Sequence, residues 1–137
     1  MCKIENHLAT SDYQFGFKAK HSTDMCVYAL KEVINYYKQH SSPVFLCYMD
    51  ASKAFDKINH WTLFKKLCDR KVPSIFIRIV IFWYRSQTLC VRWGSCLSGE
   101  FHVTNGVRQG GILSPLFVNV YIDDLSHELS HEGEKKS

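Results

Sequence analysis

The sequence has six cysteines (Cys2, Cys26, Cys47, Cys68, Cys90 and Cys96) and no Cys-x-x-Cys among them. That spacing disfavours zinc ribbons and thiol–disulfide redox motifs. Unpaired cysteines of this kind suit a reducing, intracellular compartment, and Cys26 and Cys47, set among apolar neighbours, are expected as small core residues. No apolar leader opens the chain. The most apolar stretch, Ile75 to Tyr84, is interrupted by Arg78 and falls far short of the roughly 20 residues that cross a bilayer, so no membrane partner is expected. There is no internal repeat and no linker. The 137 residues suffice for one core and leave no room for a second domain. Charge of one sign is not in large excess: the formal net charge of +4 mildly favours an anionic partner and proves none. Proline is scarce, and Pro43, Pro73 and Pro115 each fall where an element is expected to begin.

Aromatic residues are plentiful, at 14%. Lysines and arginines from Lys18 to Arg108 are interleaved with them, a pattern common in proteins that track a polynucleotide backbone; solvated helix faces would give much the same list. The element order reads as follows. Residues 1–13 are polar and loose. Ser22 or Thr23 caps a helix to about Gln39, with Met25, Tyr28, Ala29, Leu30, Val33 and Tyr36/Tyr37 as its apolar face. Val44 to Met49, following Pro43, reads as a buried strand. Asn59 or His60 opens a helix to about Arg70 with Trp61, Phe64 and Leu67 inward. Pro73 starts another to about Ser86. Thr88–Trp93 and Phe101–Val103 flank a Gly94–Gly99 turn as a hairpin. A last helix starts near Leu113, and residues 131–137 form a polar tail.

Two clusters carry chemistry. Tyr48-Met-Asp-Ala-Ser-Lys-Ala-Phe-Asp56 places a carboxylate, Asp50, at the end of the expected strand, where α/β proteins put metal and phosphate chemistry. Phe55 adds a flat ring within reach. Gly106-Val-Arg-Gln-Gly-Gly-Ile-Leu-Ser-Pro115 opens the last helix with a flexible Gly110-Gly111 pair, whose free N–H groups suit phosphate. Arg108 supplies a cation there, and Gln109 an uncharged donor and acceptor.

These two clusters resemble the first catalytic motif and the following Gln-Gly/Ser-Pro motif of reverse transcriptases, in the wording of non-LTR (LINE-type) retrotransposon enzymes. Gln14-Phe-Gly-Phe-Lys-Ala-Lys-His-Ser-Thr23 resembles the fingers segment of the same family, with Lys18 where an arginine is more usual. The resemblance runs from about residue 10 to about 130. It implies an α+β fold: an incomplete polymerase palm with part of the fingers, its helices packed on a small antiparallel sheet, forming a single partial domain over 1–137. It implies RNA-directed DNA polymerisation with Mg²⁺, an RNA template, a DNA primer and deoxynucleotides, in an intracellular setting with the nucleus favoured. Asp50 and the backbone carbonyl of Ala51 would ligate the metal ions. Phe55 would crowd a ribose 2′-hydroxyl. Arg108, Gln109 and Gly110 would line the nucleotide and template, and Lys18 would approach the triphosphate. Asp56 is expected as a turn cap.

Two further matches are expected to be decoys. Tyr121-Ile-Asp-Asp124 has the letters of the family's second carboxylate motif. It follows Ser114-Pro115 without a break, and Leu113, Leu116, Phe117, Val120, Tyr121 and Leu125 recur at helical spacing. Asp123 and Asp124 are therefore read as helix-end acids; in the family the catalytic pair comes some tens of residues later. His127-Glu-Leu-Ser-His131 has zinc-protease spacing but no third ligand after it, so no zinc is expected. One metal-binding aspartate cannot hold two Mg²⁺ ions, which leads to a truncated domain inactive alone. The alternatives are a non-catalytic nucleic-acid-binding remnant and a pseudogene fragment.

Overall fold

The computed structural model describes residues 4–134. Its elements are a 3₁₀ turn (Glu5–His7), α1 (Thr23–Gln39), α2 (His60–Asp69), α3 (Ser74–Arg85), four short strands and α4 (Ser114–Glu134). The strands are β1 (Thr88–Leu89), β2 (Arg92–Trp93), β3 (Cys96–Leu97) and β4 (Phe101–His102). The class is mixed α+β, as expected.

Local chemistry sets the helix ends. The Ser22 hydroxyl accepts from the Met25 N–H (3.2 Å) at the start of α1, and the Asn59 carboxamide oxygen accepts from the Thr62 N–H (3.0 Å) at the start of α2. Each side chain satisfies one of the N–H groups that a first helical turn leaves without a partner. Both helices end without glycine. Lys71 (φ 56°) and Ser41 (φ 51°) take the left-handed conformation just past the last turn. The Val72 N–H then reaches back to the Leu67 carbonyl (3.1 Å), and the Ser42 N–H to that of Tyr37 (3.0 Å), the bond pattern of a Schellman stop.

α2 packs against both α3 and α4. Leu63, Leu67, Val80, Phe117 and Val120 are fully buried between these helices, with Ile58, Val72, Val107 and Leu8 closing the core from the connecting segments. The buried residues of α3 (Ile77, Val80 and Tyr84) recur at three- and four-residue steps, one stripe of the helix. Strands β1 and β4 pair antiparallel, Thr88 opposite His102, and β2 pairs β3 inside them, Arg92 opposite Leu97. Two residues on the outgoing side face three on the return between these ladders, so the hairpin is bulged. The bulge is held by the Ser98 N–H on the Val91 carbonyl (2.9 Å) and the Val91 N–H on the Ser98 hydroxyl (2.8 Å).

Several expectations fail. Residues 44–49 form no strand, and Phe45, Tyr48 and Met49 are exposed. The cause is a missing partner, because a strand exists only through its ladder and the described strands all belong to the 88–102 hairpin. Nothing in α1 is buried, so its apolar face is uncovered, and Cys26 and Cys47 are exposed rather than core residues. Trp61 also points outward, 65% exposed. The helices pack on one another rather than on the sheet. The last helix continues to Glu134, through the first residues of the expected tail; residues 135–137 and the side chain of His131 lie outside the described residues.

Candidate functional site

The segments carrying the two chemical clusters are stitched together by main-chain bonds. The Val107 N–H donates to the Phe55 carbonyl (2.8 Å) and the Gly106 N–H to the Ile58 carbonyl (2.7 Å), and Asn59 bridges Asn105. Gly106 has φ +87°, and a β-carbon there would lie 2.9 Å from the Asp56 carbonyl oxygen. The position thus needs glycine for both conformation and space. A side chain adds to the seam: His60 Nε2 lies 2.6 Å from the Gly106 carbonyl, in the buried interior. A carbonyl only accepts, so Nε2 carries the hydrogen. The His60 ring stands 4.7 Å from that of Tyr84, and burial pushes the Tyr84 phenol above its ordinary pKa.

Past the seam, the Arg108 carbonyl accepts from the Ser114 hydroxyl (2.6 Å) and the Gly111 N–H (3.0 Å). The first turn of α4 thereby closes the Arg-Gln-Gly-Gly loop on itself. Arg108, Gln109 and Gly110 are exposed on that loop, Gly110 at φ +86°. On the other side of the seam, Phe55 is half-buried against the core, while Asp50 and Ala51 are exposed in the stretch before it. Asp50 therefore stands on a loop and not at the end of a strand. Asp56 donates its N–H to the Lys53 carbonyl (3.0 Å), within a turn.

The N-terminal motif joins the same assembly through α4. Asn119, buried, accepts from the Gln14 carboxamide (3.1 Å) and donates to the Gly16 carbonyl (2.9 Å). Asp123, also buried, accepts from the Ser11 N–H (2.8 Å) and from the Arg70 guanidinium, while Arg70 also donates to the Ala9 carbonyl (2.6 Å). Lys18 is turned into this segment: its ammonium donates to the carbonyls of Thr10 and Ser11 (3.0 Å each) and to Asp12 (2.9 Å). That hydrogen bond, with the charge of Lys18, holds the Asp12 carboxyl below its ordinary pKa. Asp123 and Asp124 are helical, as expected, but they sit inside α4 rather than at its end, and Asp123 is an anchor rather than a solvated acid. Asp124 accepts from Lys66 (2.6 Å), which lowers its pKa. His127 Nε2 lies 3.6 Å from Asp123.

The whole of this assembly falls inside one family match: residues 1–136 fit the reverse transcriptase (RNA-dependent DNA polymerase) family. The chain belongs to that family. Among its relatives, a probable RNA-directed DNA polymerase from transposon X-element of Drosophila melanogaster is 29% identical over 119 residues, 85% of this chain and 13% of that protein. The RNA-directed DNA polymerase from mobile element jockey of Drosophila funebris is 27% identical over 144 residues, 95% of this chain and 15% of the relative. A probable RNA-directed DNA polymerase from transposon BS of Drosophila melanogaster is 30% identical over 117 residues, 83% and 12%. The chain thus spans less than a sixth of the length of these curated relatives. No solved structure matches it. The resemblance to retrotransposon reverse transcriptases read from three short motifs is borne out: this is a reverse transcriptase domain whose relatives are retrotransposon enzymes.

Sequence reasoning missed the residues that hold the motifs together: His60, Arg70, Asn119 and Asp123. One signal was available. Asn119 interrupts the apolar run Phe117-Val-Asn-Val120 on a helix otherwise read as core, and a polar residue on a buried face needs a partner.

Proposed function

We propose that this chain is the portion of a retrotransposon RNA-directed DNA polymerase, palm with part of the fingers, that carries the first metal-binding aspartate and the nucleotide-facing loop. The observation that carries this reading is the seam of Phe55 and Ile58 with Gly106 and Val107, which joins the Asp50 segment to the Arg108-Gln109-Gly110 loop, while Asn119 draws in the Gln14–Thr23 segment. In this reading Asp50 and the Ala51 carbonyl are Mg²⁺ ligands, Phe55 faces the sugar, Arg108, Gln109 and Gly110 meet nucleotide and template, and Lys18 reaches the triphosphate after leaving Asp12. The setting is intracellular, with access to the nucleus. Residues 1–137 form one partial domain.

The donor set present is too small for a two-ion centre. Among the described residues, no three His, Cys, Asp or Glu side chains gather as a metal site, and Asp50 with one carbonyl fills only part of a Mg²⁺ shell, whose geometry is demanding. The chain alone is therefore expected not to extend a primer. It retains weak, salt-sensitive affinity for polynucleotide, because phosphate contacts from Lys and Arg need no metal. The test is primer extension on an RNA template with Mg²⁺ and deoxynucleotides, wild type beside Asp50→Ala. Extension by the wild type that disappears in the variant would mean that the chain holds a complete centre. Absence of any polynucleotide binding at low salt would remove the proposed role of the loop.

A further inference from the structure

α3 and the Arg108 loop border an open groove of which the polymerase reading uses only Arg108. It has a volume of about 570 Å³ and is lined by Ile79, Phe82, Trp83, Gln87, Thr88 and Arg108. A narrow extension lined by Trp83, Gln87, Arg108, Gly111 and Ser114 carries it to the glycine turn of the loop. The size is that of a small-molecule site. Its chemistry is mixed in a particular way. Trp83 offers a large ring, 52% exposed, on a helix whose neighbouring Tyr84 is fixed in the core. Gln87 is half-buried, and its main-chain carbonyl is tied to the Val103 N–H (3.4 Å). Arg108 is exposed, and its main-chain carbonyl is pinned by Ser114 and Gly111. Their backbones are anchored, yet neither the Gln87 carboxamide nor the Arg108 guanidinium has a partner among the described residues.

We propose that this groove seats one unpaired base of a single-stranded polynucleotide, stacked on Trp83, with Gln87 on the base edge and Arg108 on the adjoining phosphate. A flat ring, an amide that both donates and accepts, and a cation are the three groups that a nucleotide unit engages at its face, edge and phosphate. An apolar peptide would leave the amide and the guanidinium unsatisfied, at a cost. The proposal rests on the reading of Arg108 as a template contact and extends it to a defined base site on α3.

The test is fluorescence anisotropy of the whole chain with labelled single strands: RNA, DNA of the same sequence, and a DNA strand carrying abasic positions. Trp83→Leu keeps apolar bulk and removes the ring; it should weaken binding of RNA and DNA alike about tenfold, within the range for loss of one stacked base. Its salt dependence should be unchanged and its affinity for the abasic strand unaltered. Trp83→Phe should recover most of the loss. Arg108→Gln should lower the slope of log affinity against log salt by about one. Wild-type protein should bind the base-bearing strand more tightly than the abasic one by a similar factor, a comparison that does not depend on any variant folding. Equal wild-type binding of the two strands, or unchanged binding by a folded Trp83→Leu, overturns the base site while leaving the Arg108 reading standing. Failure of the wild type to bind any strand overturns both. Displacement of the strand by free deoxynucleotide at equal base concentration would assign the groove to a mononucleotide and overturn the template assignment.

Discussion

Replacing Gly106 by alanine would put a methyl group 2.9 Å from the Asp56 carbonyl oxygen and 3.0 Å from the Asp56 α-carbon, on a backbone held at φ +87°. Gly110 has nearly the same φ, +86°, but open space where a β-carbon would go. The pair separates conformational strain from steric conflict. Gly110→Ala is expected to cost roughly 1–2 kcal/mol, the left-handed penalty alone. Gly106→Ala should cost about 1–3 kcal/mol more, because the neighbour it meets is main chain and cannot swing aside. Urea denaturation of both variants measures the difference; equal losses would mean that the seam adjusts freely. The identity of the seam glycine was open to reading in the sequence, as part of a glycine-containing motif, but the reason for it was not. The atom it must clear belongs to Asp56, fifty residues earlier in the chain, and no local pattern reports such an encounter. His60 illustrates the same limit: as a letter it marks a helix start, and only the fold brings Nε2 to the Gly106 carbonyl.

Among the elements, the helices were legible because their signals are local. Ser22 and Asn59 were read as possible caps and serve as caps, and the apolar stripes of α3 and α4 have helical spacing. Residues 44–49 looked equally definite and were misread, because a strand depends on a neighbour that sequence does not show. The two caps should nevertheless behave differently when removed. Ser22→Ala and Asn59→Ala each forfeit about 1 kcal/mol of helix. α1 buries nothing, so its loss should appear as faster amide exchange within Thr23–Gln39 while the global unfolding midpoint stays put. α2 carries Leu63, Phe64 and Leu67 into the core, so Asn59→Ala should lower the midpoint itself. Hydrogen exchange beside a thermal melt checks both, and a global shift from Ser22→Ala would show that α1 is coupled to the core.

For the molecule as a whole, stability is concentrated on one side. The buried set is drawn from α2, α3, α4 and the segments that touch them, whereas α1, the 44–51 stretch and the hairpin strands contribute none of it. Chymotrypsin under native conditions is accordingly expected to cut first after Phe45 or Tyr48, which are 92% and 78% exposed, and to spare Phe64 and Phe117. Mass spectrometry of the earliest products decides; early cleavage at Phe117 would contradict the packing described. The distribution also explains what a single sequence could convey about the site. The three motifs announced the family, but which faces would remain open depends on packing partners that no motif encodes.

The anchoring of the first segment by the last helix has a consequence for how the protein comes into being. Ser11 is bound by Asp123 and Gln14 by Asn119, partners 112 and 105 positions further along the chain. At roughly 5–20 residues per second of synthesis, Ser11 and Gln14 must wait on the order of 5–20 s before these two partners exist. Until then Arg70, which reaches the Ala9 carbonyl, is the nearer anchor, and a ribosome halted before Asn119 would hold a chain in which Ser11 and Gln14 still lack their α4 partners.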